Sequence, residues 1–212
     1  MGCDIHCYIE YRDRENLTIN GGRENNWRSF GGRINPGRNY GLFGLMANVR
    51  SYDEPERCLF KPKGLPEDIG HSAADDNFLY ITEDENFKET GCIFRKRAEN
   101  WVNTGNSVYK NDVNGKPTWV SNPDWHSHSW LSLSEYRQVL ERYKVLEQKE
   151  WEIREADRLE LLKLVEEDKR GQSWLNPPCE HYDEPKYHVI EAAMVKFEEM
   201  GYESRLVFWF DN

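Results

Sequence analysis

The stretch MGCDIHCYIEYR places Asp4, His6, Tyr8 and Glu10 at alternate positions. Side chains of a β-strand alternate between faces, so these four polar groups share one side while Cys3, Ile5, Cys7, Ile9 and Tyr11 share the other. Asp4 and His6 make a D-x-H pair, a spacing by which a strand end presents two metal ligands or an oriented base. A second group, His126-Ser127-His128-Ser129-Trp130, is expected between a candidate strand and a helix N-terminus, where backbone N–H groups favour bound anions. The two groups are expected to converge on one pocket.

Such a pocket supports two chemistries. In the first, Asp4, His6 and one or both of His126 and His128 hold a divalent metal that polarises a phosphate and activates water. In the second no metal is needed: one histidine is the general base, another the general acid, and Ser127, Ser129 or an arginine holds the phosphoryl oxygens. Arg38, Asn39 and Tyr40 follow Pro36-Gly37 in a turn, and Arg50 ends the Leu42–Val49 segment. Arginine offers bidentate donors to phosphate, while Tyr40 and Trp130 have faces for a nucleobase. A purely structural reading competes, in which HSHS caps a helix and Asp4 fixes His6 at a sheet edge. His71, His181 and His188 read as lying in loop or helix contexts outside the expected site. Asp75, Asp76, Glu83 and Asp84 read as solvated loop charge without a calcium-loop pattern.

These side chains need elements to position them. Beyond the first strand, NLTINGGRENNWRSFGGRINPGRNYG reads as turns and a long loop. GLFGLMANVRSY predicts a short helix, Phe78–Thr82 a strand, and GKPTWVSNP a hairpin arm turning at Gly115. Ser132 or Ser134, with Glu135, announces a helix by the capping-box pattern. Its apolar stripe runs through Val139, Tyr143, Leu146 and Ile153 to Leu159, Leu162 and Val165, as one helix or two, with Gly171 and NPP closing it. A further helix is expected from about Pro185 to Met200, stopped by Gly201, and the apolar ESRLVFWF reads as an interior strand beside the first. The result is an α+β fold: one domain over 1–212, with a mixed or antiparallel sheet that includes the N- and C-terminal strands, two or three helices and long loops. The helical segment 133–170 is expected to protrude or to supply a homodimer interface.

Composition narrows the function further. A net charge of −10 over 212 residues opposes sequence-independent grip on duplex DNA or an anionic membrane, though a small anion in a local arginine pocket is compatible with it. No run approaches a membrane span and the N-terminus lacks signal-peptide character, so a cytoplasmic location is expected. Five cysteines, Cys3, Cys7, Cys58, Cys92 and Cys179, form no CxxC pair and read as reduced thiols.

The blocks MGCDIH, RNYGLFGLMANVR, KGLPED and HSHSWLSL together resemble a family of small uncharacterised proteins from bacteriophage and bacterial genomes. Matching positions are Gly2 to His6, Arg38 to Tyr40, Leu42, Phe43, Arg50, Gly64 to Pro66, Asp68, His126, Ser127 and Ser129 to Leu131. They are scattered over the first 135 residues, and the family pattern leaves position 128 open, which favours His126 over His128. The resemblance implies a phage context, in which small proteins bind or cleave the nucleotide messengers of bacterial immunity. The leading expectation is a phosphodiesterase acting on a small cyclic or linear nucleotide, with Asp4, His6, His126 and His128 as its chemistry. The rivals are a non-catalytic sponge that sequesters the nucleotide and an interaction protein built on the long helix.

Overall fold

The computed structural model describes residues 2–14, 18–19, 23–24, 27–51, 54–87, 90–168 and 185–211, with the backbone alone for 18–19, 23–24 and 164–168. Gly171, the NPP stretch, Cys179 and His181 lie outside the described residues. The chain runs β1 (Ile5–Asp13), β2 (Thr18–Ile19), β3 (Arg23–Glu24), β4 (Arg28–Ser29), α1 (Tyr40–Ala47), a 3-10 turn (Pro55–Arg57), α2 (His71–Asn77), β5 (Phe78–Thr82) and β6 (Cys92–Phe94). It continues with α3 (Arg95–Asn103), β7 (Tyr109–Asn111), β8 (Pro117–Ser121), β9 (Trp125–Ser132), α4 (Leu133–Asp168), α5 (Pro185–Glu199) and β10 (Tyr202–Asp211).

Two four-stranded sheets organise these elements: an antiparallel one in the order β4-β1-β10-β9, and a mixed one in the order β6-β5-β8-β7. This is the expected α+β fold with strands from both ends of the sequence. β10 lies against β1 in unbroken antiparallel register, Ile5 opposite Phe210 and His6 opposite Trp209. The alternation in β1 and β10 sorts their side chains as the pleat requires. Cys3, Ile5, Cys7, Ile9, Leu206, Phe208 and Phe210 join the main core with α1, α4 and α5. Tyr8, Val207 and Trp209 form a second, smaller cluster with Ala73, and Leu65, Ile69, Trp125 and Trp130 pack against it. The main sheet is therefore covered on both faces, which explains why β10 is so uniformly apolar.

Local signals account for the helices. Asn39 caps α1, its side-chain oxygen accepting the Leu42 N–H at 3.0 Å. The box at α4 is present: Glu135 accepts the Ser132 N–H at 2.9 Å and the Glu135 N–H reaches Ser132 Oγ at 3.3 Å. α4 is one 36-residue helix, so it extends about 54 Å at 1.5 Å per residue. Tyr136, Val139 and Leu146 are buried, whereas Ile153, Leu159 and Leu161 further along are exposed. Two helices depart from expectation. α2 lies in HSAADDN, read above as loop, and α3 in RKRAENWVN. Both are short and mostly polar, and contact with the sheets holds them; in α3 only Ala98, Trp101 and Val102, at helical spacing, mark the face that packs on the second sheet. Asp76 consequently is not solvated loop charge: it accepts the Tyr8 hydroxyl at 2.6 Å. No helix among the described residues is long and apolar enough to cross a membrane.

Candidate functional site

The site is built where β1 begins and β10 ends. Asp211 N–H donates to the Asp4 carbonyl at 3.1 Å, and Asp4 N–H returns to Asp211 Oδ1 at 2.9 Å. The second Asp211 oxygen lies 3.0 Å from His6 Nε2. Asp4 turns its carboxylate outward to a two-point contact with Arg38, at 2.5 Å to Nε and 2.8 Å to Nη2. Hydrogen bonding to Arg38 holds the Asp4 carboxyl below the usual carboxylate range, and the same contact raises the Arg38 pKa further. Arg38 lies across Gly2, where any Cβ would overlap the guanidinium. Its turn is anchored by the Tyr187 hydroxyl, which donates to the Gly37 carbonyl at 2.9 Å.

His6 is nine-tenths buried, its ring stacked 5.7 Å from Trp125 and tilted 6.4 Å from Trp209. Its Nδ1 is buried and has no partner among the described residues. An imidazole with one nitrogen held by a carboxylate and the other free is the arrangement of an oriented acid or base.

The HSHS stretch does not precede the helix as a loop; it is part of β9, paired with β10. The sequence places His126 and His128 on one face if the strand is regular. A bulge opposite Phe208–Phe210 breaks that parity, with Ser127 in the left-handed region at φ 51°. His126 stacks on Phe210 at 6.0 Å on the main-core side, and His128 sits 6.3 Å from Trp209 on the His6 side. His126 Nδ1 meets Ser127 Oγ at 3.0 Å. Burial, aided by His126, pushes the His128 pKa down to about 4, so His128 is neutral at pH 7. Four of the eight buried side-chain polar atoms without a partner among the described residues belong to this group: His6 Nδ1, His126 Nε2, His128 Nε2 and Trp209 Nε1.

Of the residues expected to bind substrate, Arg38, Tyr40 and Arg50 border this end of the sheet. Tyr40 Oη accepts the Cys3 N–H at 3.4 Å, and the Arg50 guanidinium lies 5.8 Å from the Tyr40 ring centroid. Arg50 is itself left-handed, at φ 59°. Asn39, Ser129 and Trp130 are engaged elsewhere. Asn39 caps α1 and donates to Tyr143 Oη at 2.8 Å, buried Ser129 accepts the Lys63 N–H at 3.2 Å, and the Trp130 ring lies 4.2 Å from Lys63 Nζ. Among the described residues no group of three His, Cys, Asp or Glu side chains is arranged to hold a metal ion. A metal at Asp4, His6 and His126 requires Asp4 to release Arg38 and His6 to release Asp211, with His126 reached from the Phe210 side.

Sequence reasoning missed Asp211, although pairing the first and last strands antiparallel brings it beside Asp4. It also missed the partners of Glu10. Fully buried Glu10 meets Arg205 Nη2 at 2.7 Å and accepts the Gly70 N–H at 2.8 Å. Arg205 continues to Asp68 at 2.6 Å, and Trp27 donates to the same carboxylate at 2.8 Å while its ring lies 3.9 Å from the Arg205 guanidinium. This network clamps the Lys63–Gly70 segment onto the sheet and belongs to the fold. No protein-family model, curated protein or solved structure matches the chain.

Proposed function

We propose that the protein is a phosphodiesterase acting on a small nucleotide, cyclic or linear, of the kind that serves as an immune signal in a phage-infected cell. The observation that carries this reading is the His6–Asp211 contact beside the Asp4–Arg38 pair, with His6 Nδ1 left unpaired. Asp211 holds the imidazole in one orientation, and His6 Nδ1 is the atom that takes or gives a proton once a substrate opens the site. Arg38 moves from Asp4 to a phosphate, Arg50 adds a second cation, and Tyr40 meets the base. His128, neutral at pH 7, is the second group able to accept a proton, and His126 supports it from across the bulge. Left-handed Arg50 and Ser127 support the reading, since backbone strain of this kind clusters at ligand sites.

The sponge reading draws on a different observation: the ring nitrogens are buried, whereas Arg38 is half exposed, so a nucleotide can be gripped without reaching the histidines. One experiment separates the two. Purified protein is incubated with a panel of cyclic dinucleotides and ADP-ribose derivatives, with and without EDTA, then heat-denatured and the nucleotides separated. A phosphodiesterase yields product, and His6→Ala lowers turnover by about 100-fold or more. Intact ligand recovered in stoichiometric amount replaces catalysis with sequestration, and loss of turnover in EDTA assigns a metal to Asp4 and His6. Neither product nor retained ligand across the panel overturns both readings.

A further inference from the structure

The second sheet has an inner and an open face. Leu79, Ile81, Ile93 and Val120 pack with Ala98, Trp101 and Val102 of α3. The alternate residues point the other way, and the register aligns them: Cys92 pairs with Tyr80, Tyr80 with Trp119, and Trp119 with Lys110, a single row crossing all four strands. Tyr80 is 49% exposed and meets Trp119 edge-on at 6.4 Å. Lys110 Nζ stands 5.1 Å from the Phe78 ring centroid and 6.0 Å from that of Trp119, and makes no ion pair among the described residues. Ile69 with His71, Ala74 and Asp75 of α2 closes one side of the row, leaving a cavity of about 290 Å³ above Phe78, Trp119 and Lys110.

An accessible indole beside a cation is the pairing that recognises a stacked base carrying a phosphate: the ring supplies a sequence-tolerant face and the ammonium the countercharge. The cavity is of single-nucleotide size, at the small end of ligand pockets, which are typically about 300–1,000 Å³. Two charges set the upper limit on the ligand. Asp75 lies at the rim, 2.8 Å from exposed His71, and repels a highly charged polyphosphate. The net charge of −10 opposes a long polyanion.

We propose that this cleft is a binding site for a nucleoside monophosphate, with the base on Trp119 and Phe78 and the phosphate drawing Lys110 toward the His71 rim. It is separate from the Asp4–His6 group and does not depend on the function proposed for that group. AMP, GMP, adenosine, ATP and a ten-residue oligodeoxynucleotide are titrated into the full chain, read by tryptophan fluorescence and equilibrium dialysis. Saturable binding of both monophosphates is expected, with adenosine and ATP weaker. Trp119→Leu is expected to weaken AMP by about tenfold or more, in line with base stacking on an aromatic ring. Lys110→Met, which keeps the apolar stem, reduces AMP to the level of adenosine and remains the deciding variant if Trp119→Leu does not fold. His6→Ala leaves AMP binding at this cleft unchanged. Absence of saturable AMP binding at millimolar concentration, undiminished binding in Lys110→Met, loss of binding in His6→Ala, or tighter binding of the oligonucleotide than of AMP each overturns the proposal.

Discussion

Glu10 and Arg205 are ionisable residues inside a sheet, and their value lies in being paired. Burial pushes the Glu10 carboxyl up, and Arg205 with the Gly70 amide opposes the rise. Removing either partner leaves a buried group uncompensated, so Glu10→Ala and Arg205→Met are each expected to destabilise by about 3–5 kcal/mol. The apolar double variant Glu10→Met/Arg205→Leu is expected to recover much of the loss, and urea unfolding of all three checks this. His128 gives a pH signature. Its folded pKa of about 4 lies below the ordinary 6.5, so between those values the unfolded chain binds more protons. Its contribution is fully present above pH 6.5 and lost as pH falls toward 4, up to about 3 kcal/mol. His128→Phe should flatten the stability profile across that window in urea titrations at successive pH values. At this scale the sequence was only half legible. Asp4, His6 and Arg38 stand together as their types suggested, but Asp211 bonds His6 across a separation of 205 residues, which no local pattern encodes.

Among the elements, β9 shows how one residue redirects a motif. Left-handed backbone at a non-glycine residue costs roughly 1–2 kcal/mol. Ser127→Gly is therefore expected to raise stability by about 1 kcal/mol while keeping the bulge, seen as a higher melting temperature. Under the phosphodiesterase function proposed above, turnover that persists in the variant confines Ser127 to the bulge, and turnover that falls in the more stable protein assigns its hydroxyl to orienting His126. Regular alternation is the assumption behind any reading of H-x-H, and a bulge breaks it without leaving a glycine to betray it. Elements with strong local chemistry were readable in advance: α1, the Ser132–Glu135 box, β5, the Gly115 hairpin and α5; Asn39, read for substrate, instead caps α1. α2 and α3 were not, because seven and nine largely polar residues gain their helicity from tertiary contact.

For the whole molecule, the two sheets differ in how deeply they are built. Among the described residues the main core gathers 21 buried residues around β1, β10 and three helices, against three around β5, β8 and α3. Amide hydrogen exchange should find β5, β7 and β8 opening at lower free energy than β1 and β10; equal protection would show the sheets to be one cooperative unit. The position of β10 between β1 and β9 carries a consequence for synthesis. Until β10 is made, β1 and β9 stand without the strand that joins them, each offering unpaired backbone edges and apolar side chains. The molecule thus commits to its main sheet, and brings Asp211 to His6, only once β10 has emerged from the ribosome. A truncated or stalled chain is left with two adhesive edges and without the carboxylate that orients its histidine.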